Sequence, residues 1–190
     1  MNKSANRPDR AIVLVGLMGA GKSSIGRRLA ARLDMKFTDA DAEIEAAAGC
    51  TIADYFECHG ERAFRDGERR VIARLLDEGP RVLATGGGAF IDPDTRRLLS
   101  HKAVTVWLNA ELDLLVKRCA RRDTRPLLRD GDPREILTRL IEERYPIYRQ
   151  ADITVETNDG PHMETVDKII AALADRNADS APSNADSAPS

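Results

Sequence analysis

"GLMGAGKS", residues 16–23, decides how the rest of the chain is read. It fits the spacing G-x-x-x-x-G-K-[ST]. The apolar run "AIVLVGL" (11–17) leads into it, and a segment with Ile25, Leu29 and Leu33 four apart follows. A near-continuous apolar run predicts a strand buried on both faces, and the four-residue spacing predicts one stripe of a helix. Strand, glycine loop and helix in that order let successive backbone N–H groups turn inward around phosphate oxygens. Gly16, Gly19 and Gly21 permit the turn. Lys22 would reach the β- and γ-phosphates, and Ser23 would offer its hydroxyl to Mg2+. The bland alternative is a glycine-rich turn with an exposed lysine, and it leaves the agreement of strand, loop, Lys, Ser and helix unexplained.

Outward from the loop, short apolar or β-branched runs alternate with longer helical patterns. Strands are expected at "MKFTDA" (35–40), "RVLAT" (81–85), "AVTVWL" (103–108) and "DITVET" (152–157). Helices are expected after a capping box at Thr51 and Asp54, over 61–77, after Asp92-Pro93, from Asn109 and Glu111 onward, after Asp132-Pro133, and over 163–174. Alternation of this kind implies an α/β fold: a three-layer sandwich with a central parallel sheet of about five strands and helices on both faces. The stretch "RRDTRPLLRDGD" (121–132) is charged and broken by Pro and Gly, so it is expected to be a mobile lid.

Composition bounds the function. The chain has 190 residues, 42% hydrophobic and 32% charged, with net charge −2. This is the balance of one globular domain, placed at residues 11–175, and it excludes bulk attraction to nucleic acid or an anionic membrane. Residues 1–10 read as a flexible tail. "NADSAPS" occurs twice in succession (177–183 and 184–190), so 176–190 reads as a disordered one. Cys50, Cys58 and Cys119 form no CxxC pair, which argues against a disulfide framework or a zinc site. No apolar run approaches a membrane span or a signal-peptide core, so a cytoplasmic protein is expected.

A phosphate loop specifies a nucleotide, not a reaction. No base-reading NKxD-type motif accompanies it, which favours ATP over GTP, and the short chain favours a small kinase. The third and fourth strands end in "ATGGG" and "LNA", without an Asp for Mg2+. The carboxylates lie instead at "FTDAD", where Asp39 and Asp41 end the second strand. Two apart in an extended segment, both would face the ligand crevice, one serving the metal shell and one an acceptor hydroxyl. The competing reading is that one of them is only a helix N-cap for "AEIEAAA", a place Asp41 could also fill, and position alone does not decide. The run Gly86, Gly87 and Gly88 is anomalous beside a strand, and it implies that something approaches the backbone too closely for a Cβ.

These segments occur together in one known family. "GLMGAGKSSIGRRLA", "FTDADAEIE", "TIADYFECHGERAFRDGE", "ATGGGAF", "RPLL" and "YPIYRQAD" resemble, in order and spacing, the shikimate kinases, and the likeness runs from about Ala11 to the last helix. The resemblance implies a nucleoside-monophosphate-kinase-like fold and transfer of the γ-phosphate of ATP to the 3-hydroxyl of shikimate, with one Mg2+ and a monomeric protein. It implies nucleotide contacts at Gly19, Ala20, Gly21, Lys22, Ser23 and Ser24, the last standing where many members have Thr. Arg118 and the lid residue Arg125 join them, and Asp39 lies near Mg2+ through water. Asp41 would take the acceptor hydroxyls, and Lys22, Asp41 and Arg125 would be catalytic. Arg65 and Arg149 would hold the acceptor carboxylate. Gly86, Gly87 and Gly88 would line the acceptor site, with the Gly87 N–H touching the substrate. A bulge remains an open reading for Gly86 and Gly88. Two other functions compete: phosphorylation of another polyol acid such as gluconate, and a nucleotide-binding regulatory module without turnover. The arginines and triple glycine argue against the first; both aspartates, Lys22 and the lid arginine argue against the second.

Overall fold

A computed structural model describes residues 8–120 and 131–179. Its elements run β1 (Ala11–Val15), α1 (Lys22–Leu33), β2 (Lys36–Asp39), α2 (Ala40–Ala48), α3 (Ile52–Asp77), β3 (Arg81–Ala84), α4 (Pro93–Lys102), β4 (Ala103–Ala110), α5 (Leu112–Ala120), α6 (Pro133–Tyr148), β5 (Ile153–Thr157) and α7 (His162–Asp179). The strands form one parallel sheet in the order β2-β3-β1-β4-β5. Central β1 is buried along its whole length, whereas edge β5 alternates buried and exposed residues, as a strand with one covered face should.

Handedness then assigns the layers. The chain leaves β1 towards β2 in one direction, then returns through β3, β4 and β5 in the other. Right-handed crossovers therefore put α1 on one face and the helices of the later crossovers on the opposite face. The packing agrees: α1 lies against α7 and β3, while α3 packs on α4 and α5 on α6. Ile25 and Leu29 of α1, Ile72 of α3, Leu99 of α4 and Leu115 of α5 are fully buried between helices and sheet.

Several boundaries differ from the sequence expectation. β2 stops at Asp39, and the chain is already helical at Ala40, so Asp41 belongs to α2 and not to a strand. The helix expected over 61–77 is present as the second part of α3, separated at the non-helical Gly60 (φ 76°, ψ 172°) from a first part that begins at Ile52, as the Thr51 cap implied. Asn109 lies in β4, not in the next helix, and its Nδ2 donates to Glu156 Oε1 of β5 at 2.6 Å. α7 continues to Asp179, into the first copy of the repeat and past the boundary expected at 176. Thr51, Asp92 and Asp132 cap their helices as expected. The expected lid over 121–132, apart from its last two residues, lies outside the described residues.

Candidate active site

Register brings the site together. In the sheet Leu14 lies beside Ala84, and Ala84 beside Asp39. The loops leaving β1, β3 and β2 therefore emerge side by side at the carboxyl edge, where α/β sheets bind ligands. Thr85 ties two of them, donating from its N–H (3.2 Å) and its hydroxyl (3.0 Å) to Leu14 O.

The loop after β1 is shaped for phosphate. Gly16, Gly19 and Gly21 have φ of 136°, 84° and 98°, a region that side chains disfavour. Gly21 is the N-cap of α1, no side chain caps that end, and its first turn carries no acidic residue. The N–H groups and the positive end of the helix dipole are thus left to an anion. Lys22 Nζ donates to Gly16 O (2.7 Å) and Leu17 O (3.0 Å), folded over its own loop. Arg118 of α5 reaches the same loop, donating to Gly19 O and Ala20 O at 3.3 Å and to Asn158 O at 2.6 Å. Ser24, in the first turn of α1, accepts on its carbonyl from Arg28 (2.8 Å). Arg125 lies outside the described residues.

The two aspartates divide as follows. Asp39 caps α2: its Oδ1 accepts from Asp41 N at 3.2 Å, and its Oδ2 accepts from Ser23 Oγ at 2.7 Å. The helical turn, not an extended segment, brings Asp41 alongside. Asp41 Oδ1 lies 2.7 Å from where a Cβ on Gly86 would stand. Burial first, and then the charge of Asp39, raise the Asp41 carboxyl above its ordinary value, against the pull of Lys22.

The triple glycine forms the turn after β3. A Cβ on Gly88 would collide with the Arg65 guanidinium, as one on Gly86 would with Asp41 Oδ1. At Gly87 it would meet only ordinary contacts, the nearest being Arg144 Nη1 and Gly16 O at 3.6 Å. The crowding thus falls on Gly86 and Gly88, through the protein's own side chains, and not on the central glycine.

Arg65 forms a 2.6 Å ion pair with Glu68, which is 1% exposed, and a longer one with Glu61 (3.4 Å). Burial raises the Glu68 carboxyl above its ordinary value although Arg65 opposes the shift. Arg149, expected here, is the exposed C-cap of α6. Five residues along a helix turn a side chain about 140° from Arg144. Arg144 is the guanidinium that reaches the glycine turn, donating to Gly87 O at 3.3 Å, and Tyr148, one turn on, donates its hydroxyl to the same oxygen. The sequence reading missed Glu68, Arg144 and Tyr148. Helical spacing offered the signal: Glu68 is three residues from Arg65, and Tyr148 four from Arg144.

A phosphate loop on a parallel sheet of this order, with carboxylates and guanidinium groups gathered beside it at the carboxyl edge, defines the class of P-loop phosphotransferases. A family model described as shikimate kinase matches residues 18–174. The chain is 60% identical over 169 residues to a shikimate kinase of Paramagnetospirillum magneticum, covering 89% of this chain and 87% of that protein. It is 60% identical over 164 residues to one of Caulobacter vibrioides, covering 86% and 82%. The structure resembles shikimate kinase from Acinetobacter baumannii in complex with shikimate, with TM-score 0.86, 38% identity, and coverage of 92% and 98%. A gluconokinase from Sinorhizobium meliloti, at TM-score 0.61 and 21% identity over 91% of this chain and 96% of that one, shares the fold. The chain belongs to the shikimate kinase family. Among the described residues no helix is long and apolar enough to cross a membrane.

Proposed function

We propose that the chain transfers the γ-phosphate of ATP to the 3-hydroxyl of shikimate, with Asp41 as the residue that receives the acceptor hydroxyl. The observation that carries this reading is the composite acceptor pocket: Asp41 against Gly86, Arg65 against Gly88 and Arg144 against Gly87. Shikimate offers hydroxyls on one side of a ring and a carboxylate on the other, and the pocket separates a carboxylate from two guanidinium groups in the same way. A raised carboxyl suits a group that takes a proton as the acceptor oxygen attacks. Lys22 and Arg118 would hold the nucleotide from the phosphate-loop side.

Ser23 and Asp39 supply hydroxyl and carboxylate oxygens 2.7 Å apart at the start of α1. Hard oxygen donors of this kind fit Mg2+, which keeps most of its waters. Ser23 would hold the ion directly and Asp39 through water. When bound, it would neutralise charge on the phosphate oxygens.

The test is the carboxylate. A guanidinium fork on an anion is worth about 1.5–3 kcal/mol per hydrogen bond, so losing one weakens binding roughly 10- to 100-fold. Arg65→Lys and Arg144→Lys keep the charge and lose the fork. Each should raise the shikimate KM while sparing that for ATP, and the losses should be non-additive in the double variant. Arg149→Lys should leave both constants at the wild-type values. The carboxamide of shikimate should bind wild type poorly and be indifferent to either substitution. Wild-type shikimate KM in both single variants would refute the assignment.

A further inference from the structure

We propose that Tyr148 is the positioning residue for the acceptor carboxylate, holding Arg144 and the Gly87–Gly88 peptide in the orientation an anion requires. The inference rests on the reading of Arg65 and Arg144 as the groups that take that carboxylate.

Tyr148 is 0% exposed, its ring stacked 6.0 Å from Trp107 and 6.3 Å from Phe90. A buried phenol needs partners for its hydroxyl. Here the hydroxyl donates to Gly87 O, the same oxygen to which Arg144 Nη1 donates at 3.3 Å, and the nearby Arg144 charge acts on the phenol against the effect of its burial. Tyr148 and Arg144 thus meet at one carbonyl oxygen, each holding it from α6.

The carbonyl it holds is a particular one. The Gly86–Gly87 and Gly87–Gly88 peptides each have glycine on both sides, so both are free to flip unless their carbonyls are held. Gly86 O and Gly88 O are taken by Ala89 N (3.2 Å) and Ile91 N (3.0 Å), which leaves Gly87 O as the carbonyl held by side chains. In a trans peptide the C=O and N–H point opposite ways. With Gly87 O fixed towards α6, the Gly88 N–H is turned away from it. Among the described residues that N–H makes no hydrogen bond. The place of a Gly88 Cβ is within 2.8 Å of the Arg65 guanidinium. A free N–H beside a guanidinium favours an anion. A flipped peptide would present the Gly87 carbonyl there instead, and its negative end would repel a carboxylate. The glycines that make room for Asp41 and Arg65 also loosen the turn, and the buried hydroxyl removes that looseness without touching the ligand.

Tyr148→Phe keeps the ring, its stacking on Trp107 and its volume, and removes only the hydroxyl. The shikimate KM should rise about tenfold, the loss expected for one hydrogen bond serving a charged site. The kcat and the KM for ATP should stay within about twofold of wild type, and the KM for the carboxamide of shikimate should not change. A purely structural tyrosine would lower the melting temperature and leave this split absent; a wild-type shikimate KM in folded Tyr148→Phe overturns the inference. Arg144→Lys, measured alongside, separates the two levels. If it raises the shikimate KM while Tyr148→Phe does not, only the role of Tyr148 fails. If Arg144→Lys is itself silent, the carboxylate reading beneath it fails. Should the phenylalanine variant not fold, 3-fluorotyrosine placed at 148 is nearly isosteric and a stronger donor. It should lower the shikimate KM, and an unchanged value overturns the inference in the same way.

Discussion

At Asp41 the groups that prepare the site also weaken the fold. Burial and the charge of Asp39 both favour the neutral carboxyl, so its folded pKa lies above the unfolded value near 3.8. The folded state therefore binds this proton more tightly. The stability that Asp41 contributes is fully present below the unfolded pKa and is lost as the pH rises through the folded one. At neutral pH the ionised group is a burden on the fold, and Asn, which carries no charge, is not. Asp41→Asn should raise the melting temperature by a few degrees at neutral pH, and the gain should shrink as the pH falls to about 4. Turnover should fall at least about a hundredfold, since a positioned acid–base group contributes at least that much. Scanning fluorimetry at both pH values and a coupled assay check the two halves; a melting temperature lower than wild type at neutral pH would contradict the electrostatic reading. Lys22→Ala tests the other half of the site. Its ammonium is bonded to Gly16 O and Leu17 O at the loop, not in the core, so the melting temperature should not move. Loss of one donor at a developing anion is worth about 3 kcal/mol, or roughly a hundredfold in kcat. Near-normal turnover in this variant would remove the phosphate-loop assignment.

Among the elements, the contact between α1 and β2 sets the phosphate loop against the Asp39 turn. Gly26 of α1 is buried, and a Cβ there would stand 2.6 Å from the Phe37 ring and 3.1 Å from Leu14 Cδ1. Two effects oppose in Gly26→Ala. Helix propensity favours Ala by about 1 kcal/mol, and overpacking costs about 1–3 kcal/mol. Phe37 is held by Arg27, whose guanidinium lies 4.7 Å from the ring centroid, and β2 is fixed to β3, so overpacking should win. The expected net loss of up to about 2 kcal/mol lowers the melting temperature by several degrees. A rise would show that the ring moves aside. Element type was legible in the sequence wherever a hydrophobic period ran its length, as in β1, α1 and β4. Junctions were less so. "FTDADAE" reads as strand up to Asp41, yet the carboxylate of Asp39 accepts from Asp41 N and turns the chain into a helix two residues sooner. Gly60 reads as a helix boundary, and its non-helical backbone (φ 76°, ψ 172°) does separate α3 into two helical parts.

At the scale of the molecule, alternation of strand and helix made the parallel sheet legible, but not its order, which depends on where each crossover returns. That order is what builds the site: β3 inserts between β1 and β2, and so puts the triple glycine between the phosphate loop and Asp41. The phosphate-loop residues, the two aspartates, Arg65 and the glycines could be named from motifs because each lies within a short quoted stretch. Arg144 falls one residue before the quoted "YPIYRQAD", and Glu68 and Tyr148, though inside quoted stretches, were not named, since their contacts follow from helix faces and burial. Arg149 stood in place of Arg144 because both lie in the same arginine-bearing stretch, and only the helix phase separates them. The most direct measurement on the whole protein is ADP release in a coupled assay with Mg2+ and ATP, against shikimate, gluconate or no acceptor, with the product examined by phosphorus NMR. ADP release should depend on shikimate and place the phosphate on its 3-hydroxyl, while gluconate should give only the rate seen without acceptor. Equal release in all three reactions, or a preference for gluconate, would contradict the assignment of this pocket to shikimate.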